Sequence, residues 1–463
     1  MINRTISEIA EMIGAASSFA EETANLRVQG VSKDTRNDVA GSLYIPLIGA
    51  SFDGHAFAQD AFHKGAVASL WQKDHPNPPQ DVPLIYVDDT LLAMQQLATA
   101  YRKQLKVRII GITGSNGKTT TKDLVASVLS TTYKVHKTQG NYNNHFGLPL
   151  TILELDEDTD FAVVEMGMSG RGEIELLSQI AQPDIAIITM IGESHLLQLG
   201  SRLEIARAKM EILKGLSPDG VFIYNGDEPL IEQVKAEIML SGNIRSIRFG
   251  QSKYNDYYTD YIRLGEEGTF FTVNGMPDPL YYIPLLGQHN ATNALSAIAV
   301  AKVLGVSEEQ IVDGLSSLQM TSMRIEKLTA ASGLTILNDA YNASPASMRA
   351  ALDLFDGLTG YKHKYVVLGD MLELGEEQDE FHREIGARLH PEHIQGVYAF
   401  GSLAKAYVEE TGKRFPAGRV HWFEDKSELI GHLADKLTDQ DVVLVKGSRG
   451  MKLEQVVHQL LEK

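Results

Sequence analysis

Cysteine is absent from all 463 residues, so the chain can form neither a disulfide nor a thiolate metal site. Positive charge is in deficit. The 42 Lys and Arg residues stand against 60 Asp and Glu, and a net charge of −18 disfavours general affinity for a nucleic-acid backbone. A local pocket can still oppose that sign and take an anionic small molecule. No apolar run approaches the roughly 18 residues of a membrane span. The opening stretch MINRTISEIAEMIGAA is interrupted by polar and acidic residues where a signal peptide needs an apolar segment. There is no short repeat and no low-complexity tract. The rest is ordinary globular composition, with a length that predicts about three domains. The expectation is a cytoplasmic enzyme with no nucleic-acid partner and no membrane insertion.

Residues 1 to about 105 open on an amphipathic helical spacing, Ile6, Ile9, Met12 and Ile13, followed by short apolar runs at 42–47, 67–70 and 84–87. His75-Pro-Asn-Pro-Pro-Gln reads as a loop, because proline removes backbone donors and restricts φ. A helix is predicted over 91–104. From Val107 the pattern becomes strand, glycine-rich turn, helix, and further strands are predicted at 161–165, 184–190 and 221–224. That alternation predicts a parallel sheet covered by helices. Between 244 and 286 shorter strands around Asn274-Gly275 predict an antiparallel hairpin appended to this unit. A second α/β series follows 318, with strands at 334–337, 365–368, 396–400 and 442–445, several of which end in glycine-rich or charged loops. The fold class is α/β in three domains: 1–105, 106–318 and 319–463. The middle one is a phosphate-loop parallel sheet and the last is Rossmann-like.

The sharpest chemical signal is Gly114-Ser115-Asn116-Gly117-Lys118-Thr119-Thr120, directly after an apolar strand and opening a helix. Glycines let the backbone curl until its N–H groups face phosphate oxygens, and the helix N-terminus adds partial positive charge. Lys118 can reach the β- and γ-phosphates, and the Thr119 hydroxyl can ligate Mg²⁺. The spacing departs from G-x-x-x-x-G-K-[ST], since Ile112 stands five residues before Gly117 and Gly111 comes one too early. A phosphate loop alone admits motors, GTPase switches, kinases, ligases and regulatory modules. No Asn-Lys-x-Asp element reads guanine, and the acidic balance weakens the helicase reading.

Three further groups follow strands or sit on helices. Glu165 ends the apolar run Phe161-Ala-Val-Val, a position suited to holding a metal–nucleotide complex. His195 stands a short loop after Ile185-Ala-Ile-Ile-Thr-Met-Ile. Lys209 lies in a helical stretch of mixed charge.

Taken together these residues resemble the Mur ligases, which add amino acids to the bacterial cell-wall precursor. That family's signature TG-[ST]-N-GKT-[ST] is matched by Thr113 to Thr120, including the unusual glycine spacing. Glu165, His195 and Lys209 match its acidic strand end, its histidine and its carbamylated lysine. Leu286-Gly-Gln-His289-Asn290-Ala-Thr-Asn293 resembles its G-x-H-N-x-x-N segment, and Arg324 its arginine opening the C-terminal domain. The stretch Asp339-Ala-Tyr341-Asn342-Ala-Ser344-Pro345, with Leu368-Gly-Asp370-Met-Leu-Glu373 and Lys446-Gly-Ser448-Arg449-Gly, is similar to the branch that adds a dipeptide. The branch adding a single diamino acid and the folylpolyglutamate-type ligases are the rivals. Ser344 departs from a commoner asparagine, and Glu193 makes the loop before His195 more acidic than usual.

The resemblance implies ATP and Mg²⁺ as cofactors, with UDP-N-acetylmuramoyl-tripeptide and D-Ala-D-Ala as small-molecule substrates of a monomer. Catalytic roles would fall to Lys118, Glu165, His195 and carbamylated Lys209. Thr119, Glu165, His195 and Lys209 would hold metal. Nucleotide contacts would come from residues 114–120 with Asn293, Arg324 and Asp339. The nucleotide sugar would meet Ser32, Thr35, Arg36, Asp53, Gly54 and His55. The remaining substrate contacts would be Asn144, Tyr341, Asn342, Lys446, Ser448 and Arg449.

Overall fold

The computed structural model describes residues 1–462 apart from 18, 50, 81, 239–241, 266, 320 and 322–323. Among the described residues there are four sheets. A two-stranded ribbon pairs Asn3–Thr5 with Arg27–Gln29, and a four-stranded parallel sheet runs Val31–Ser32, Leu43–Tyr44, Ala68–Gln72, Leu84–Val87. No helix is long and apolar enough to cross a membrane.

The nine-stranded central sheet places Arg108–Thr113 between Ile185–Ile188 and Phe161–Glu165, all parallel. Side chains on these strands alternate between two helical layers. Ile109, Ala162 and Val164 face one apolar core, while Ile110, Ile112 and Val163 face the other. Covered on both sides, the strands are continuously apolar rather than alternating polar and apolar. Each fully buried Ile or Val contributes roughly 1.5–3 kcal/mol by leaving water. The hairpin Thr269–Val273 and Met276–Ile283 turns at Asn274-Gly275 as its residue types demand, Asn274 adopting φ 57° and Gly275 φ 70°. It continues the central sheet, joined through Tyr257–Leu264 and Arg245–Gly250.

One of the two central cores does not stop at the central sheet. Ile2, Ile6, Ile45, Leu70, Leu97 and Tyr101 share it with Leu148, Ile152 and Leu153. The helix Thr90–Gln104 carries much of this seam, and Tyr101 Oη donates to the Leu155 carbonyl at 2.8 Å. The N-terminal part is thereby packed onto the central unit by apolar contact. The C-terminal six-stranded sheet behaves differently. Its order runs Glu326–Thr329, Thr335–Asp339, Asp441–Lys446, His363–Gly369, Gly396–Phe400, Val420–Phe423, and it has its own two apolar cores. Its ties to the central unit described below are polar. Interfaces of that kind leave relative motion as the default.

In both large sheets a late strand inserts beside an early one, so loops separated in sequence emerge together at the carboxyl ends. Such points are where open parallel sheets bind ligands. The loop after Arg108–Thr113 leaves between two neighbouring strands. In the C-terminal sheet, Asp441–Lys446 lies between Thr335–Asp339 and His363–Gly369, which brings three loops to one edge.

Candidate active site

The phosphate loop is shaped by crowding. Gly114 has φ +150°, and a β-carbon there would come within 1.8 Å of Thr189 Oγ1. Gly117 has φ +83° and precedes the helix Lys118–Ser130, with Asn293 Oδ1 2.8 Å from where its β-carbon would stand. Both positions exclude a side chain. Ser115 Oγ accepts from the Gly192 amide at 2.8 Å and ties the loop to the next strand's loop. Asn116 Nδ2 is buried and finds no partner among the described residues, an orphaned donor in a loop suited to phosphate oxygens.

Behind the loop, Thr119 Oγ1 donates to Glu165 Oε2 at 2.9 Å, and Asn143 Nδ2 donates to Glu165 Oε1 at 2.8 Å. The strand Phe161–Glu165 is buried throughout, which presses its terminal carboxylate against the first turn of the helix. Arg324 Nη2 donates to Thr119 Oγ1 at 3.2 Å while its guanidinium lies 4.1 Å from the Tyr341 ring centroid. Lys118 Nζ rests on the Gly114 carbonyl at 2.9 Å. Burial lowers the Lys118 pKa; Glu165 opposes that shift and Arg324 adds to it. Lys209 is only 1% exposed, and burial, then the charge of Lys118, pushes its pKa well down. His195 is pushed down too, first by burial and then by Lys209, with Glu373 acting the other way.

A cavity of about 580 Å³ is lined by all of 115–120, by Glu165, His195, Lys209 and Asn293, and by Arg324 and Asp339. Asn144, Tyr341, Asn342, Lys446, Ser448 and Arg449 also line it. Gly114 stands behind the wall. The structure thus gathers residues from two sheets around one space, whose cations oppose the −18 charge of the whole chain. Lys446 Nζ pairs with Asp339 Oδ2 at 2.6 Å, the two side chains being 3% and 10% exposed, and also meets the Asn342 carbonyl. Removing one partner of so buried a pair strands the other charge. Asp339→Ala is expected to lose about 3–5 kcal/mol of stability, read from the urea unfolding midpoint. A loss within about 1 kcal/mol, the range of an exposed pair, would show that Lys446 reaches water instead.

The residues assigned to the nucleotide sugar do not line this cavity. Arg36 makes a bidentate contact with Asp34, whose carboxyl it holds down at about 2, and Thr35 offers its carbonyl to Lys64. Ser32 Oγ lies 3.3 Å from the Asp34 carbonyl. Gly54 sits where a β-carbon would be 2.7 Å from the Leu47 amide, and Tyr44 Oη donates to its carbonyl. His55 is buried: Nδ1 meets Asp53 Oδ1 at 2.8 Å and Nε2 faces the Gln72 amide at 3.4 Å. The sequence reading gave His75 only a place in a loop, yet it stacks on His55 at 4.0 Å and reaches Asp53 Oδ2 at 2.9 Å. This trio has a metal-like donor set. However, a cation on His55 Nδ1 would move the proton to Nε2, against the Gln72 N–H, so that N–H favours the hydrogen-bonded form.

Further groups that carried no assigned role stand in the cavity wall, Asn143 and Glu373, or one residue from it in sequence, Glu193 and Arg349. Asn143 braces Glu165, Glu373 meets His195 Nδ1 at 2.7 Å, and Arg349 joins Glu193 at 2.8 Å. Asn143 stood next to Asn144 in a polar cluster after a strand and could have been found there. Asn144 uses its own Oδ1 to accept from the Phe146 and Gly147 amides, starting the helix Gly147–Leu153. Ser344 caps the helix Pro345–Gly357 and donates to Asn116 Oδ1 at 3.2 Å, so its departure from asparagine retains a hydrogen-bonding role. Glu193 likewise has a partner that explains its charge.

Residues 112–301 match the Mur ligase middle domain, 323–449 the Mur ligase, glutamate ligase domain, and 27–102 the Mur ligase family, catalytic domain. A UDP-N-acetylmuramoyl-tripeptide--D-alanyl-D-alanine ligase of Bacillus subtilis is 48% identical over 464 residues, covering 100% of this chain and 99% of the relative. A crystal structure of MurF from Acinetobacter baumannii superposes with TM-score 0.87 at 29% identity over 100% of both chains. The Thermotoga maritima MurF ligase in complex with ADP gives TM-score 0.80 at 27% identity, covering 94% of this chain and 97% of the other. With its phosphate loop, its acidic strand end and three matching regions in this order, the chain belongs to the Mur ligase family.

Proposed function

We propose that this chain joins D-alanyl-D-alanine to UDP-N-acetylmuramoyl-tripeptide at the expense of ATP, releasing ADP and phosphate. The observation that carries the reading is the single cavity in which the phosphate loop, Glu165, His195 and Lys209 face the Asp339–Ser344 and Lys446–Arg449 loops. The 48% identical relative bears the name of that activity. In this reading residues 1–105 hold the nucleotide sugar, 106–318 the triphosphate, and 319–463 the dipeptide while completing the nucleotide site.

A carboxylate is a poor electrophile, and an amine will not displace its oxygen. Transfer of the γ-phosphoryl group to the tripeptide's terminal carboxylate makes an acyl phosphate, from which the amine of D-Ala-D-Ala can expel phosphate. The protein's task is positioning and charge neutralisation. Lys118, now parked on Gly114, can swing to phosphoryl oxygens, and Arg324 approaches the same region from the C-terminal unit. In this reading Asn293, which lies beside Gly117, contacts the adenine and Asp339 the ribose. In this reading the dipeptide meets Tyr341, Asn342, Ser448 and Arg449, all of which line the cavity.

The donor set also fits magnesium. Thr119 Oγ1 and Glu165 Oε2 already lie together, hard oxygens of the kind Mg²⁺ selects. His195 and Lys209 would complete a second site, Lys209 as its carbamate. When bound, the ions would neutralise charge on the phosphates and on the acyl oxygen. Burial keeps the Lys209 amine inclined to its neutral form, the form that can take up CO₂.

The test is ADP release with UDP-muramoyl-tripeptide and a choice of acceptor. D-Ala-D-Ala is expected to support turnover, whereas D-Ala alone and L-lysine are not. Release only with L-lysine would transfer the chain to the branch adding a single diamino acid. ATP binding without any substrate-dependent release would leave a regulatory module. The enzyme is read as a monomer, which sedimentation can check.

A further inference from the structure

His195 meets the C-terminal unit through Glu373. Its Nδ1 lies 2.7 Å from Glu373 Oε2, and the Leu197 amide donates to the Glu373 carbonyl at 3.1 Å. With the carboxylate oxygen as acceptor, Nδ1 donates and the lone pair is left on Nε2, the atom free to ligate. The two residues adopt left-handed backbone, φ 67° at His195 and φ 64° at Glu373. Side chains with a β-carbon visit that region at a cost, and the conformation persists where surrounding contacts over-determine it. Two residues before His195, Glu193 is held by Arg349, which also grips Glu384. The loop carrying His195 is thus pinned on both sides to the C-terminal unit. Thr119, Glu165 and Lys209 belong to the central one.

We propose that Glu373 is a positioning residue that orients His195 as a metal ligand, so that docking of the C-terminal unit completes the second cation site. The inference rests on the reading of His195 as a ligand. It assigns to Glu373 the role of outer carboxylate in a carboxylate–histidine–metal arrangement. The consequence is an order of events. With the C-terminal unit swung away, the imidazole loses its partner and the tautomer that suits ligation is no longer selected. Activation of the acyl carboxylate is thereby tied to the arrival of the unit that presents the amine, which protects the acyl phosphate from water before an acceptor is in place.

The test is Mn²⁺ titration of the full-length chain with a non-hydrolysable ATP analogue, following free Mn²⁺ by electron paramagnetic resonance. Glu373→Gln leaves the backbone bond to Leu197 untouched, so docking is preserved, while its neutral amide can turn either its oxygen or its NH2 toward Nδ1 and no longer selects the ligating tautomer. Wild type is expected to bind two ions, and Glu373→Gln to weaken one of them roughly 10–100-fold. The Mg²⁺ concentration for half-maximal ADP release should rise in parallel. His195→Ala should weaken the same ion, and the double variant should be no worse than His195→Ala alone. Small-angle scattering should show all variants as compact as wild type. If His195→Ala loses an ion but Glu373→Gln binds both with wild-type affinity, the positioning role is overturned and the ligand reading stands. If His195→Ala binds both ions normally, the ligand reading itself falls. Additive losses in the double variant, or an expanded scattering profile in Glu373→Gln, would reduce Glu373 to a docking contact and also overturn the proposal.

Discussion

Lys118→Ala is expected to abolish ATP-dependent turnover while leaving the fold intact. The ammonium group sits at the first turn of the phosphate-loop helix, against the Gly114 carbonyl at 2.9 Å, in surroundings that disfavour its charge. That disadvantage disappears when phosphate oxygens arrive, and the lysine then contributes more to the transition state than to the free enzyme. Removing one preorganised charge-stabilising donor typically costs 10²–10³ in kcat, about 2.7–4 kcal/mol. A phosphoryl group with several developing charges should lie at or beyond the upper end. The fold should not suffer, because the variant deletes a charge whose burial is itself unfavourable. The check is ADP release under saturating substrates beside a thermal melt. A variant that turns over like wild type removes Lys118 from the mechanism.

The second large effect falls on Lys209. Its alanine variant is expected to be inactive and partly restored by small carboxylates such as acetate or formate, which can occupy the place of the missing carbamate. Left as a cation, the side chain would repel a neighbouring divalent ion by about 4 kcal/mol per unit charge at ~4 Å and an effective dielectric of ~20. The same burial makes a stability prediction independent of catalysis. An unfolded lysine keeps its proton to about pH 10.5, whereas Lys209 in the folded chain releases it lower. Between those values the unfolded state binds more protons, so folding gains stability as pH rises. At pH 7 burial of Lys209 is therefore a cost. Lys209→Met should raise the urea midpoint of the ligand-free protein at pH 7, by a margin that shrinks toward pH 10.5. Full activity of Lys209→Ala without added carboxylate would remove the carbamate; a midpoint that falls at pH 7 would mean that the lysine is already paired.

Much of the central machinery lies close in sequence, which is why it can be read there. The strand Arg108–Thr113, the loop and the helix Lys118–Ser130 are contiguous, and their chemistry depends on backbone shape that glycine positions encode. The buried strands Phe161–Glu165 and Gly396–Phe400 have the bounds that their apolar runs predict. Strands that are only partly covered were harder to see. Tyr257–Leu264 and Val420–Phe423 are only partly buried, so their sequences mix polar and apolar residues and lack the signature of a covered strand. The change of pattern predicts a boundary near 105, but one apolar core runs across it, because the helix Thr90–Gln104 packs against the helix Gly147–Leu153.

Side-chain type and local spacing were enough to predict a phosphate loop and a carboxylate at a strand end, since each depends on neighbours within a few residues, whereas the ligase family followed from the resemblance of motifs spread along the chain. Three-dimensional packing alone decided which partners those groups meet. Glu373 reaches His195 across 178 residues and Arg349 reaches Glu193 across 156, pairings that no local pattern records. It also turned His55 inward, because a buried imidazole must satisfy both nitrogens, and Asp53 and the Gln72 amide lie within reach. Hydrogen bonds act over about 3 Å, and only the folded chain determines which distant residues come that close.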